Sequence, residues 1–254
     1  MSILKVLWCW RIIGVLVSGL MVGPIAFAGE TIVAVATNFT EAAKEIARHF
    51  EQETNHTAAL SFGSTGQIYT QITQAAPFEV FLAADQARPA KAEKQGYAVT
   101  GSRFTYAIGE LVLWSKDLSL ANGMEVLTAN QFNKIAIANP NFAPYGAAAV
   151  QAMKTLNVYE TLAPKIVQGN NIAQTYQFAV TGNAELGFVA SSQLINQDQG
   201  SRWIIPTNYY DAIRQDAVLL TRGAEDEASQ TFLAFLKSPT ARAVIKQYGY
   251  GVSK

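Results

Sequence analysis

Apolar and polar positions along this chain follow two periods. Short runs rich in Val, Ile, Leu, Ala and Phe occupy residues 32–36, 58–62, 80–83, 111–114, 135–138, 186–189, 203–205 and 217–220. Runs of this length, bounded by Gly, Asn, Ser or Pro, read as strands. Between them the period lengthens. Over residues 40–52, Ala43, Ile46, Ala47 and Phe50 recur at i, i+3, i+4 and i+7 and share one face of a helix. Phe232, Leu233, Phe235 and Leu236 form another apolar face, and a last helical stretch over 241–248 stops at Gly249. Strands alternating with helices predict an α/β chain with mainly parallel sheets flanked by helices. Asn122-Gly123 reads as a turn within a longer connection, and no internal repeat is visible.

The N-terminus departs from this pattern. Lys5 and Arg11 precede an almost wholly apolar stretch over 12–22, and Ala26-Phe27-Ala28 follows. This is the order of a secretory signal, and the stretch is shorter than the ~20 residues of a membrane span. Gly23 and Pro24 interrupt it, which disfavours an uncleaved anchor. Cleavage is expected after Ala28, leaving 226 of the 254 residues. Without Lys5 and Arg11, 17 basic residues stand against 19 acidic ones, near −2. That balance gives no reason to expect nucleic acid or an anionic membrane as partner, and it offers no net field to steer an anion. Cys9 lies in the signal segment, so the exported part has no thiol, disulfide or thiolate metal site. His49 and His56 alone cannot build a histidine-rich metal centre. The length allows one large domain or two of about 110 residues, and no linker marks a boundary.

Chemistry concentrates where strands hand over to helices. Thr37-Asn38-Phe39-Thr40-Glu41 follows the first run, and Asn38 with Glu41 reads as a capping box. Gly63-Ser64-Thr65-Gly66-Gln67 follows the second, with Ser64 or Thr65 able to cap. After 135–138 come Asn139-Pro140-Asn141-Phe142-Ala143-Pro144-Tyr145-Gly146 and an alanine-rich helix from 147 to about 156. After Ile166-Val167 come Gln168-Gly169-Asn170-Asn171-Ile172-Ala173-Gln174. In open α/β sheets, ligands bind beyond the carboxyl ends of the strands. Helix N-termini there offer free N–H groups and a partial positive charge suited to an anion. One such turn more often only caps its helix; four together, two from each half of the chain, fit two lobes closing on one ligand. No dinucleotide, P-loop or nucleophile-elbow motif is present.

The strings Val35-Ala36-Thr37-Asn38-Phe39-Thr40 and Ser61-Phe62-Gly63-Ser64-Thr65-Gly66 resemble the periplasmic molybdate-binding proteins of ABC transporters. So does Ala75-Ala76-Pro77-Phe78-Glu79-Val80-Phe81-Leu82-Ala83-Ala84-Asp85, with Ala75 where the family usually has glycine and Glu79 where it usually has aspartate. Asn139-Pro140, Ala143-Pro144-Tyr145-Gly146 and Glu185-Leu186-Gly187-Phe188-Val189 extend the resemblance over essentially all of the chain after Ala28.

The resemblance implies a two-lobed periplasmic binding protein of type II, not an enzyme. Lobe 1 would take residues 29–104 and 212–254, lobe 2 residues 105–211, with crossings near 103–106 and 206–211. The ligand would be molybdate or tungstate, with no cofactor and no metal held directly by side chains. The partner would be a membrane permease and the state a monomer. Residue by residue, the ligand-binding positions fall on Thr37, Asn38, Thr65 (Ser64 being the weaker candidate), Tyr145 and the N–H of Ile172. Many members of the family carry a binding tyrosine just after the strand matching 187–189, where this chain has Ala190. A branch of the family supplies it from the Ala-Pro-Tyr-Gly turn instead, which assigns the role to Tyr145.

Neutral donors suit such a ligand. A dianion loses its water in a closed cleft and needs hydrogen bonds in return, each worth roughly 1.5–3 kcal/mol to a charged acceptor. A pocket of donors alone disfavours a protonated phosphate. Asp85 is expected to end a strand or brace a turn, His49 to lie at the surface, and Trp114, Trp203, Tyr209 and Tyr210 to serve packing and the hinge. Two rivals are a receptor for sulfate or a small organic acid, with Arg103 or Arg214 reaching inward, and a secreted hydrolase using Ser64 or Ser191.

Overall fold

A computed structural model describes residues 28–252; the expected signal segment, apart from Ala28, lies outside them. Ten strands form two five-stranded sheets among the described residues. They are β1 (Glu30–Ala36), β2 (Thr57–Gly63), β3 (Val80–Leu82), β4 (Phe104–Gly109), β5 (Leu111–Ser115), β6 (Ile135–Ala138), β7 (Ile166–Gly169), β8 (Leu186–Ala190), β9 (Ser201–Ile204) and β10 (Ile213–Leu219). The helices are α1 (Thr40–Thr54), α2 (Thr65–Thr73), α3 (Ala87–Lys94), α4 (Gly123–Ala129), α5 (Pro144–Thr155), α6 (Tyr159–Leu162), α7 (Ile172–Val180), α8 (Glu227–Phe235) and α9 (Pro239–Gln247).

The first sheet has the order β2-β1-β3-β10-β4 and the second β7-β6-β8-β5-β9. In each, four strands run together and one, β10 or β5, runs against them. The two sheets therefore share one topology that the sequence does not show as a repeat. The reversed strand is in each case the one on which the chain arrives from the other sheet. β4 pairs with β10 from Phe104 to Gly109. The chain thus leaves the first sheet at Glu110 and not over the expected 103–106, and it returns after β9 over 205–212. Arg103 and Thr105 make the start of β4 look like polar connection. Both side chains are instead tied to the fully buried Asp216 of β10.

The predicted helix faces pack as their periods require. Phe50 of α1 lies edge-on to Phe232 and Phe235 of α8, and its ring stacks on His56. Ala43, Ile46, Phe232, Leu233 and Leu236 bury around them. His56 is itself buried, and its Nδ1 accepts the N–H of Gly29 at 2.9 Å. His49 is half-buried beside Arg48 and Glu45. Trp114 is buried under β5 against Tyr176, Trp203 packs on the core of the second lobe, and the Tyr210 hydroxyl accepts the N–H of Leu111. Asn122 accepts the N–H of Glu125 and caps α4, so Asn122-Gly123 opens a helix where a turn is expected from sequence.

Phe50 is fully buried between two helices from opposite ends of the chain. Phe50→Ala is expected to destabilise the protein by about 3–5 kcal/mol in urea unfolding. A loss under about 1 kcal/mol would show that α1 and α8 do not depend on this contact.

Candidate functional site

The first, second, third and fourth turns leave the carboxyl ends of β1, β2, β6 and β7 and enter helices. Local sequence explains each entry. Thr37–Phe39 forms one 3-10 turn ahead of α1. Ser64 is the extended residue before α2, and its hydroxyl donates to Gln67 rather than capping. Pro144 occupies the first position of α5, where its missing N–H costs nothing and its fixed φ suits the helix. The helix consequently starts three residues before the expected Ala147 and places Tyr145 in its first turn. Asn171 caps α7 by accepting the N–H of Gln174, which leaves the N–H of Ile172 among the donors without an intrahelical acceptor.

Two glycines set how closely these turns approach. A side chain at Gly146 would put its Cβ 2.0 Å from the carbonyl oxygen of Ala138, so only glycine lets α5 begin directly over the end of β6. A Cβ at Gly66 would lie 2.8 Å from Cα of Phe142. Instead, the N–H of Gly66 donates to the carbonyl of Phe142 at 2.8 Å, joining the second turn to the third across the lobes. Further contacts close the same cleft. Arg88 Nη2 donates to the carbonyl of Asn141 at 2.7 Å, and Ser192 Oγ to the carbonyl of Asn38 at 2.9 Å.

All five expected ligand-binding residues are buried: Thr37, Asn38, Thr65, Tyr145 and Ile172. Thr37 and Asn38 line a cavity of about 230 Å³ together with Ala173 from the first turn of α7. Tyr145 and Ile172 share an apolar cluster with Ala36 and Ala84 from the first lobe. Thr65 hydrogen-bonds none of the other four; its Oγ1 accepts the N–H of Ala84, which leaves its own proton to donate.

The capping box expected of Asn38 and Glu41 is not formed. Asn38 Nδ2 donates to Gln215 Oε1 at 2.8 Å and to the Tyr250 hydroxyl at 3.1 Å, while Glu41 pairs with Lys44. These two buried partners hold the Asn38 side chain, and its Oδ1 caps neither the 3-10 turn nor α1. At this turn the uncommitted donors are therefore the backbone N–H groups rather than the Asn38 side chain.

The structure adds residues that periodicity and motifs do not single out. Gln215, fully buried on β10, reaches Asn38, Tyr106 and Tyr145. A polar run, Arg214-Gln215-Asp216, inside an apolar strand is the available signal, and its last two residues are buried. Arg88 sits at the cleft edge, paired with Asp85, whose Oδ1 also accepts the N–H of Arg88. Asp85 thus braces a turn, as expected. Arg103 is engaged by Glu93 and Asp216, and Arg214 is exposed. Among the described residues no group of three His, Cys, Asp or Glu is placed to hold a metal ion.

Burial is the leading cause that holds three phenols, Tyr106, Tyr145 and Tyr250, above the ordinary value of 10.0. They are neutral donors throughout the physiological range. Above about pH 10 the unfolded chain ionises these phenols while the folded chain does not, so ionisation favours unfolding. The contribution is intact below about pH 10 and is lost as pH rises past it. Stability is expected to fall between about pH 10 and 11.5 in urea titrations, and to fall less in Tyr106→Phe. Gly66→Ala is expected to leave the melting temperature unchanged or raised, since alanine favours a helix. Its methyl should push Phe142 away, and the radius of gyration by X-ray scattering should rise. An unchanged radius would show that the 2.8 Å approach is not what sets closure.

Comparison with known proteins fits this geometry. Residues 31–251 match the family described as bacterial extracellular solute-binding protein. The chain is 56% identical over 225 residues to the molybdate-binding protein ModA of Rhodobacter capsulatus, covering 89% of each chain. It is 52% identical over 231 residues to ModA of Azotobacter vinelandii, covering 89% of this chain and 92% of the relative. The solved periplasmic molybdate-binding protein of Azotobacter vinelandii superimposes with a TM-score of 0.85 at 41% identity, covering 88% of this chain and all of the other. The sulfate-binding protein SubI of Mycobacterium tuberculosis, at 12% identity and a TM-score of 0.74, shares the fold. Two like-built lobes and matches of this extent make the chain a member of the ModA family of bacterial extracellular solute-binding proteins.

Proposed function

We propose that this protein captures molybdate, and tungstate with little discrimination, between its lobes and delivers it to the membrane permease of an ABC transporter. The observation that supports this reading is that four strand-to-helix turns lie at carboxyl ends of parallel strands, that the second and third are joined by Gly66 and Phe142, and that all five expected residues are buried. Two relatives identical to it at more than half of the aligned positions are named for molybdate binding. The protein is a transport component, not an enzyme. The hydrolase reading finds no support: Ser64 donates to Gln67, while His56 accepts from Gly29 and His49 neighbours Arg48 and Glu45. The organic-acid reading needs a forked arginine, and Arg103 is already forked by two carboxylates.

Thr65 Oγ1, the Tyr145 hydroxyl and the N–H groups of Asn38 and Ile172 would hold the oxyanion. Such donors replace the anion's water without a counter-charge, at roughly 1.5–3 kcal/mol each. Tetrahedral dianions of different size would be sorted by how far the lobes close. The chain would be exported, cleaved after Ala28 and monomeric, with no nucleic acid partner. Closure, already bridged by Gly66 and Arg88, would present both lobes together to the permease.

Titration of the purified protein by calorimetry and thermal shift tests this reading. Molybdate at about 100 times its dissociation constant should add roughly 2.7 kcal/mol of stability. No stabilisation by molybdate, with clear stabilisation by sulfate or a carboxylate, would overturn it. Tyr145→Phe should weaken molybdate binding by roughly tenfold to a hundredfold, one hydrogen bond to an anion, without unfolding the protein. Unchanged affinity would return Tyr145 to packing alone.

A further inference from the structure

Gln215 lies at the centre of a buried chain of polar groups whose proton directions can be deduced. The Tyr250 hydroxyl stands 2.7 Å from the carbonyl oxygen of Asn38. A carbonyl carries no proton, and Ser192 Oγ, 2.9 Å from the Tyr250 hydroxyl, gives its own to the same carbonyl, so the Tyr250 proton goes to one of these two acceptors. Tyr250 therefore turns a lone pair to the Asn38 side chain, and the group facing it at 3.1 Å must be the amide nitrogen, Nδ2. The second proton of Nδ2 then points at Gln215, 2.8 Å away, and the atom receiving it is Oε1. Tyr106 has a single proton facing two acceptors, the carbonyl of Ala83 and Gln215 Oε1, each at 3.2 Å, so the sense of Gln215 is set by Asn38. With Oε1 committed to Asn38, the amide nitrogen of Gln215 faces the Tyr145 hydroxyl at 3.3 Å. Tyr145 is thus an acceptor toward Gln215, and its own proton is left for whatever occupies the cleft.

We propose that Gln215 is a positioning residue that fixes the polarity of Tyr145, and that this makes the site selective for oxyanions carrying no proton. The inference rests on the reading of the cleft as an oxyanion site. Gln215 has no room to turn. It is fully buried, and a Cβ placed on Gly109 would lie 2.7 Å from its Nε2 and 2.0 Å from the Tyr145 hydroxyl. The bare glycine therefore keeps open the space in which the two side chains meet. A Tyr145 locked as donor aims its proton, not an acceptor lone pair, at the ligand. An oxyanion with an O–H, such as hydrogen phosphate, then leaves that proton without an acceptor, which is costly in a dry site.

Gln215→Glu tests this directly, because it keeps the shape and replaces the donor by an acceptor. Tyr145 would then donate to the carboxylate and turn its lone pair to the cleft. Affinity for molybdate is expected to fall by about 100-fold or more, the value of a lost bond to a charged acceptor plus a like charge nearby. Affinity for hydrogen phosphate, read by competition with molybdate, should fall much less, so the ratio of the two should drop by at least about tenfold. Equal losses for both anions would overturn the proposal, since general damage to the cleft does not discriminate between them. If the buried carboxylate prevents folding, Gln215→Leu combined with Tyr145→Phe decides the same question. The loss caused by Gln215→Leu should largely vanish in the Tyr145→Phe background, and additive losses would overturn the assignment. Failure of the unmodified protein to bind molybdate would instead count against the function proposed above, and it is read before any variant is made.

Discussion

An anion that leaves water for the inside of a protein must recover its hydrogen bonds, and a dianion must recover several at once. This constraint organises the molecule. No single turn can surround a tetrahedral ion, so donors have to arrive from several directions. Two sheets of identical topology, each delivering helix N-termini at the carboxyl ends of parallel strands, provide those directions. Donors of this kind are fixed by the backbone and need no opposing charge. The arginines near the cleft can then be satisfied by carboxylates of the protein itself, as Arg88 is by Asp85 and Arg103 by Glu93 and Asp216.

Closing the lobes demands close backbone approach, and small residues supply it. Gly146 seats α5 on the end of β6, Gly66 meets the turn before α5, and Gly109 leaves space for Gln215 and Tyr145. The polar groups exposed by these approaches are then matched in pairs across the cleft. The N–H of Gly66 and the guanidinium of Arg88 take carbonyls of the opposite lobe, and Ser192 takes the carbonyl of Asn38. These are direct contacts between the lobes, so part of the closed interface belongs to the protein alone.

Local periodicity makes much of this legible. The apolar face of α1 and the strands around it follow from spacing, and the small and polar residues after β1, β2, β6 and β7 point to the cleft. What stays hidden depends on distant partners. Asn38 and Glu41 satisfy a local capping pattern, yet Gln215 and Tyr250, 177 and 212 residues away, claim the Asn38 amide. Arg103 and Thr105 look like connection until Asp216 is placed beside them in β10. Tyr145 stands out within its turn, but its helix begins three residues earlier than the alanine-rich pattern indicates, because Pro144 opens a helix as readily as it ends a loop. Gln215 carries no local signal beyond its polarity, because a glutamine in a strand acquires meaning only when its neighbours across the sheet are known.

Everything above turns on an ion held by neutral donors from both lobes. A crystal structure of the molybdate complex, with the metal located by its anomalous signal, examines this without intermediaries. A single strong peak is expected between the two sheets, with all four oxygens facing N–H or O–H groups, Thr65 and Tyr145 among them. A peak forked by Arg88 or Arg214, or the absence of any peak between the sheets, would contradict it.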